Sequence, residues 1–191
     1  MPVTATTLKV AVISGNTHRP SKSKALAEQI LRSVQSNISI KPQLFDILDA
    51  GPGLGAAFTR AELTPEAAQL VDAIEAADAL IVVAPVYKGS YSGLFKHLFD
   101  FIEPAALIDR PVLIGATGGG HRHALVVEHQ LRPLFAFFTA LTVPTAIYAT
   151  DSDFSNGEVV EPLVLDRIAA AAGQFAAILE KRAPRALSAA A

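Results

Sequence analysis

At 191 residues, 51% of them hydrophobic, the chain is long and apolar enough for a single domain with a sizeable core, spanning 1–183. A formal charge of −2 with no long basic run argues against nucleic acid or an anionic membrane surface as partner, and leaves a small molecule or a protein. The absence of cysteine removes disulfides, thiolate nucleophiles and thiolate-held iron–sulfur clusters, so any redox chemistry must ride on a bound cofactor.

The opening MPVTATT has no basic stretch followed by an apolar one, and no uninterrupted apolar run approaches the ~18 residues of a membrane span, so a soluble cytoplasmic protein is expected. Val10-Ala11-Val12-Ile13 is short, β-branched and apolar on both faces, which predicts a central strand of a parallel sheet. Ser14-Gly15 ends it. From Asn16 to Ser23 every side chain except Pro20 is a hydroxyl, amide, imidazole, guanidinium or ammonium, and a helix over Lys24–Val34 follows, with Leu26, Ile30, Leu31 and Val34 at helical spacing. Such a loop offers unpaired N–H groups and the positive end of a helix dipole to a phosphate. The same residues would also serve as a plain helix cap with solvated charges.

Ile38–Leu48 reads as a second strand, where Pro42 argues for an edge position. Gly51-Pro52-Gly53-Leu54-Gly55 offers a GxG-type loop, but Pro52 and the AAFTRAEL that follows fit a flexible connection better than a dinucleotide fold. Thr64-Pro65-Glu66 supplies a cap, a proline at the first helical position and an acid in the first turn of a helix to about Ala76. Ala79–Ala84 is the most apolar strand and belongs at the centre. It ends in Pro85–Gly93, before a helix over Leu94–Ile102. Pro111–Ala116 is the next buried strand, ending in Thr117–His123. Three strands thus end in loops rich in glycine, hydroxyls or aromatics, and an open parallel sheet binds ligands outside the carboxyl ends of its strands.

Ala124–Phe138 reads as a helix broken from within: Pro133 lacks the N–H that would bond the His129 carbonyl, which predicts a kink or a one-residue π-bulge at His129. Its Leu131, Leu134, Phe135, Phe137 and Phe138 exceed one amphipathic face, which points to an oligomer contact, although core packing accounts for them equally well. Val143–Tyr148 is the last strand, Asp151–Gly157 a polar loop, Glu161–Leu179 an alanine-rich closing helix, and 184–191 a fraying tail. The alternation predicts an α/β fold with a five-stranded, doubly wound parallel sheet.

Several chemistries fail on spacing. A Walker loop counted from Gly15 would need glycine and lysine where Pro20 and Ser21 stand, and Gly89–Gly93 has Tyr91 where a nucleophile elbow needs serine. His121 and His123 have no acidic partner nearby in sequence, so no metal site is expected. The loops suit one phosphate on Asn16–Ser23 and one flat ring against backbone amides of Pro85–Lys88 and Thr117–Gly119.

Three motifs, S-G-N-x-x-R-P-S-x-S, A-P-V-Y-K-G-S-Y-S-G-L-F-K-H-L-F-D and A-T-G-G-G, resemble those of the NAD(P)H-dependent FMN reductases over about Val10–Ala149. The chain looks most like the reductase components of two-component alkanesulfonate and methanesulfonate monooxygenases. The resemblance implies a flavodoxin-like fold and hydride transfer from NADH or NADPH to FMN, with no dedicated catalytic residue beyond those that position the rings. It implies release of reduced FMN to a partner flavin-dependent monooxygenase in sulfonate sulfur assimilation. It places the FMN phosphate on Asn16, His18, Ser21, Lys22 and Ser23, and the isoalloxazine ring on Pro85, Val86, Tyr87, Lys88, Thr117, Gly118 and Gly119. Asn16 stands where serine is common and His18 where arginine can stand, which throws phosphate charge onto Lys22 and neighbouring Arg19. A family member's inserted tyrosine aligns with His129, and the family's subunit contacts imply a homodimer or homotetramer built through Ala124–Phe138. An FMN-containing quinone or azo reductase and a flavodoxin-type electron carrier remain the alternatives on the same scaffold.

Overall fold

The computed structural model describes residues 7–182, and the expected fraying tail, 184–191, lies outside the described residues. In chain order the elements are β1 (Leu8–Ser14), α1 (Lys22–Gln35), β2 (Ile40–Asp46), a one-turn α2 (Gly53–Ala56), α3 (Pro65–Glu75), β3 (Ala79–Pro85), α4 (Gly93–Asp100), β4 (Pro111–Gly118), a π-turn (Val127–Leu131) running into α5 (Arg132–Phe137), β5 (Leu141–Thr142), β6 (Ile147–Thr150), β7 (Phe154–Ser155), β8 (Glu158–Val159) and α6 (Pro162–Arg182). All pairings in the main sheet are parallel, with β2, β1, β3 and β4 side by side and both β5 and β6 alongside β4. This is the expected doubly wound α/β sheet, with its fifth position split in two. Pro144 splits it: without an N–H it cannot continue the ladder, so pairing to β4 lapses after Thr142 and resumes at Ile147. The strand expected over Val143–Tyr148 therefore starts later and ends later.

Strict alternation along the strands feeds two cores. Ala11, Ile13, Leu80, Val82, Val112 and Ile114 face α3, α4 and the helix after β4. Val10, Val12, Ile81, Val83 and Leu113 face α1 and α6. A sheet covered on both faces needs apolar residues at every position, which is why its central strands read as continuous runs. Pro42 sits on β2, which among the described residues pairs only with β1 and is an edge, as its missing donor requires. By length and composition α6 is apolar enough to cross a membrane, but its Val164, Ile168, Ala171, Ala172, Phe175 and Leu179 are buried in the second core.

Local differences from the sequence reading have simple causes. Helix α1 begins two residues early, because the Ser21 hydroxyl accepts from the Lys24 N–H and caps it there. Thr64 caps α3 by position only; its side chain instead packs where a Cβ on Gly53 would stand, so the Gly51–Gly55 stretch is a folded turn and not a flexible connection. The break predicted at His129 is the π-turn Val127–Leu131, in which the Arg132 N–H reaches back five residues to the Val127 carbonyl. Of the surplus apolar residues expected on this helix, Leu131, Leu134, Phe135 and Phe138 are core, and Phe137 stays 71% exposed.

Candidate functional site

The loops leaving β1, β3 and β4 converge at the carboxyl end of the sheet, beside the β1/β3 junction where the winding reverses. They are tied directly to one another. Ser23 Oγ and Thr117 Oγ1 lie 2.6 Å apart, both buried, and the Val86 N–H donates to the Thr117 carbonyl at 2.8 Å. Tyr87 Oη stands 3.3 Å from Thr17 Oγ1 and 3.5 Å from His18 Nδ1. Asn16 to Ser23, Pro85 to Lys88 and Thr117 to Gly119 thus form one surface, as the sequence reading expected.

The first loop is shaped by its own side chains. Gly15 gives its N–H to the Val83 carbonyl, and a Cβ there would come within 2.8 Å of the Phe95 ring, so only glycine lets the chain turn this close to the core. The Asn16 side chain is buried: it accepts from Ser14 Oγ at 2.6 Å and donates to the His18 carbonyl at 3.0 Å. This leaves Asn16 only its backbone N–H to offer a ligand. The N–H groups of Asn16, Thr17, His18 and Arg19 find no acceptor among the described residues, and together with the start of α1 they make a cradle for an anion.

Arg19 is taken up by carboxylates of the fold. Its guanidinium grips Asp46, at the end of β2, through two 2.6 Å hydrogen bonds, and reaches Asp49 at 2.5 Å. Lys24 Nζ donates at 3.2 Å to Asp46 Oδ2, the oxygen that also accepts from Arg19 Nε. Burial alone would raise the Asp46 carboxyl, yet the bonds from Arg19 and Lys24 outweigh it and hold the group below the usual carboxylate range. The share of phosphate charge expected of Arg19 is accordingly spent on anchoring the loop. Lys22 remains beside the cradle, 2.8 Å from Asp151. Both partners are largely exposed, so that pair is worth at most about 1 kcal/mol and yields readily to a doubly charged phosphate.

The loop after β3, the third loop (that after β4 being the fourth), is a tight turn in which Tyr87 and Ser90 exchange both backbone bonds, with Lys88 (φ 51°) and Gly89 (φ 90°) at its two central positions. Positive φ at both makes it a type I′ turn, which raises the Lys88 side chain at the rim. The fourth loop is held by Tyr148, whose hydroxyl donates to the Gly120 carbonyl at 2.7 Å; burial, then the charges of Asp151 and Asp153, push its pKa up and keep it protonated as a donor. A Cβ on Gly118 would stand 2.4 Å from that hydroxyl, so any larger residue there would push Tyr148 off its bond to Gly120. Between the third and fourth loops lies a cleft of about 570 Å³ walled by Val86, Lys88, Gly89 and Gly119, open enough for a flat ring. Arg122 and His123 also line it. The sequence reading weighed His123 only as a metal ligand and passed over Arg122, although their place after G-G-G at a strand's carboxyl end was the available signal. Among the described residues no three or more His, Asp or Glu side chains gather closely enough to hold an ion.

The family described as NADPH-dependent FMN reductase matches residues 8–155. An NADH-dependent FMN reductase, SfnF, of Pseudomonas fluorescens is 49% identical over 169 residues, covering 88% of this chain and 90% of that protein. An FMN reductase (NADPH) of Pseudomonas aeruginosa is 44% identical over 174 residues, covering 91% and 94%. A solved oxidoreductase from Corynebacterium diphtheriae superposes with a TM-score of 0.83 at 33% identity, over 92% of this chain and 98% of that one.

Proposed function

The chain belongs to the NADPH-dependent FMN reductase family, and from that premise we propose that it reduces FMN with NADH or NADPH where its three loops converge, then releases reduced FMN to a flavin-dependent monooxygenase. The observation that best supports this reading is the direct tie between loops: Ser23 to Thr117 and Tyr87 to Thr17 join the loop with unpaired N–H groups to the two loops that border the cleft. The residues present fit FMN. The free N–H groups of Asn16 to Arg19 with Ser21, Lys22 and Ser23 suit its phosphate, and Pro85 to Lys88 with Thr117 to Gly119 suit the edge and face of its ring.

When bound, FMN supplies the hydride acceptor. The chain's task is then to hold two flat rings at close range and in register, which asks for positioning and no separate acid–base pair. Val86, Lys88 and Gly89 wall one side of the cleft, and Gly119 and Gly120 of the fourth loop form the other, with Arg122 and His123 beyond them. Lys88, at a positive φ in the turn, brings a cation to the rim, where it would favour negative charge on a bound ring. Purified protein mixed anaerobically with FMN and each nicotinamide should show nicotinamide oxidation matched by flavin reduction. No loss of either absorbance at micromolar FMN would end the reading. Loss of flavin on gel filtration would mark FMN as substrate; retention would favour the quinone- or azo-reductase alternative.

The sulfonate role follows from the motif resemblance, and a cytoplasmic setting suits a reductase that draws on NADH or NADPH. Assembly through the Ala124–Phe138 segment belongs to the same proposal. Leu125 and Phe137 are 64% and 71% exposed, and Phe137 borders a hollow of about 590 Å³ shared with Phe101, Pro133 and Phe138. Phe137→Asp should shift the mass measured by light scattering toward the monomer; an unchanged mass would remove this interface.

A further inference from the structure

Two hollows meet at the fourth loop. The ring-sized cleft continues past Gly89, Arg122 and His123 into a second hollow of about 190 Å³, bounded by Leu125, Val126, His129 and Gln130. Neither hollow is lined by a carboxylate. Arg122 stands at their junction, and its Nε donates to His123 Nε2 at 3.1 Å. That bond uses one edge of the guanidinium; its terminal nitrogens make no hydrogen bond or ion pair among the described residues. Arg19, Arg60, Arg110 and Arg132 are by contrast each paired with a carboxylate. Asp151, whose Oδ2 lies 3.9 Å from where a Cβ of Gly119 would stand, is itself paired with Lys22.

Resting on the FMN reductase reading, we propose that Arg122, steadied by His123, is the subsite for a phosphate of the nicotinamide dinucleotide. The nicotinamide ring would share the first cleft with the flavin ring, and the adenosine side would extend along the second hollow. A planar guanidinium with free donors matches a phosphate two bonds at a time, and Lys88 across the cleft adds a second cation. The pyrophosphate and the 2′-phosphate share this chemistry, and NADH and NADPH tell them apart.

The test is steady-state kinetics of Arg122→Ala and Arg122→Lys with both nicotinamides, joined by calorimetric titration of each variant, with FMN present, using NADP⁺ and NAD⁺. Arg122→Ala should raise KM and weaken oxidised-nucleotide binding by about tenfold. The KM for FMN should stay within about twofold and kcat should hold, with Arg122→Lys recovering part of the loss. Loss with both nucleotides assigns Arg122 to the pyrophosphate, and loss with NADPH and NADP⁺ alone to the 2′-phosphate. Nicotinamide KM and binding both unchanged, or an equal loss for FMN, would overturn the subsite. A wild-type protein that binds the nucleotides through Arg122 without reducing FMN would overturn the activity and leave the subsite standing.

Discussion

The first and fourth loops handle positive charge in opposite ways. On the first, Arg19 and Lys24 are both held by Asp46, and Lys22 leans on Asp151. On the fourth, Arg122 has only an imidazole for company, and Lys88 opposite has no ion pair among the described residues. A loop whose cations are matched by carboxylates of the fold has its shape settled before a ligand arrives, and leaves its backbone N–H groups as the donors already in place for an anion. A loop whose cations are unmatched keeps that attraction for an anion that comes and goes. The contrast suits a site that grips one substrate by geometry and meets the other by charge.

The sharpest way to break the contrast is to release the first loop. Asp46→Asn removes the carboxylate that Arg19 and Lys24 share, and should cost about 1.5–3 kcal/mol of stability at neutral pH while raising the KM for FMN. Because the folded Asp46 carboxyl titrates below its ordinary value, its contribution is complete above about pH 4 and is lost as pH falls through the lowered pKa. Thermal melts against pH should therefore show the wild type losing stability on the acid side and Asp46→Asn losing less there. Parallel curves would separate Asp46 from acid sensitivity.

A smaller effect is expected at Lys22. Lys22→Ala should weaken FMN by about tenfold and leave riboflavin, which lacks the phosphate, nearly unaffected in fluorescence titrations. Equal losses would remove Lys22 from the phosphate. Smallest of all, Tyr87→Phe deletes the long hydroxyl contacts to Thr17 and His18 at an exposed position, and should change FMN affinity by less than about 1 kcal/mol. A larger loss would mean that this link, and not the buried Ser23–Thr117 pair, holds the two halves of the site together.

Much of this architecture was legible in the order of residues. The central strands announced themselves because burial on both faces demands unbroken apolar runs, and the ends of β1, β3 and β4 because glycine and hydroxyl clusters stop such runs. The π-turn around His129 was legible from Pro133, whose missing N–H is a local fact. The split of the fifth strand was missed although Pro144 was in view: whether a proline interrupts a ladder depends on which side of the strand is paired.

Covalent and short-range facts determined the strands, the capped helices, the broken helix and the three loops at one edge of the sheet, since each rests on groups a few residues apart. Only the folded chain decided which charges those loops keep. Arg19 and Asp46 are 27 residues apart, and Lys22 and Asp151 are 129 apart. Whether a cation is spent on a neighbour or left for a ligand depends on which carboxylate the fold carries within reach. Coulombic attraction and hydrogen bonding act over a few ångströms of space, and sequence separation does not enter them.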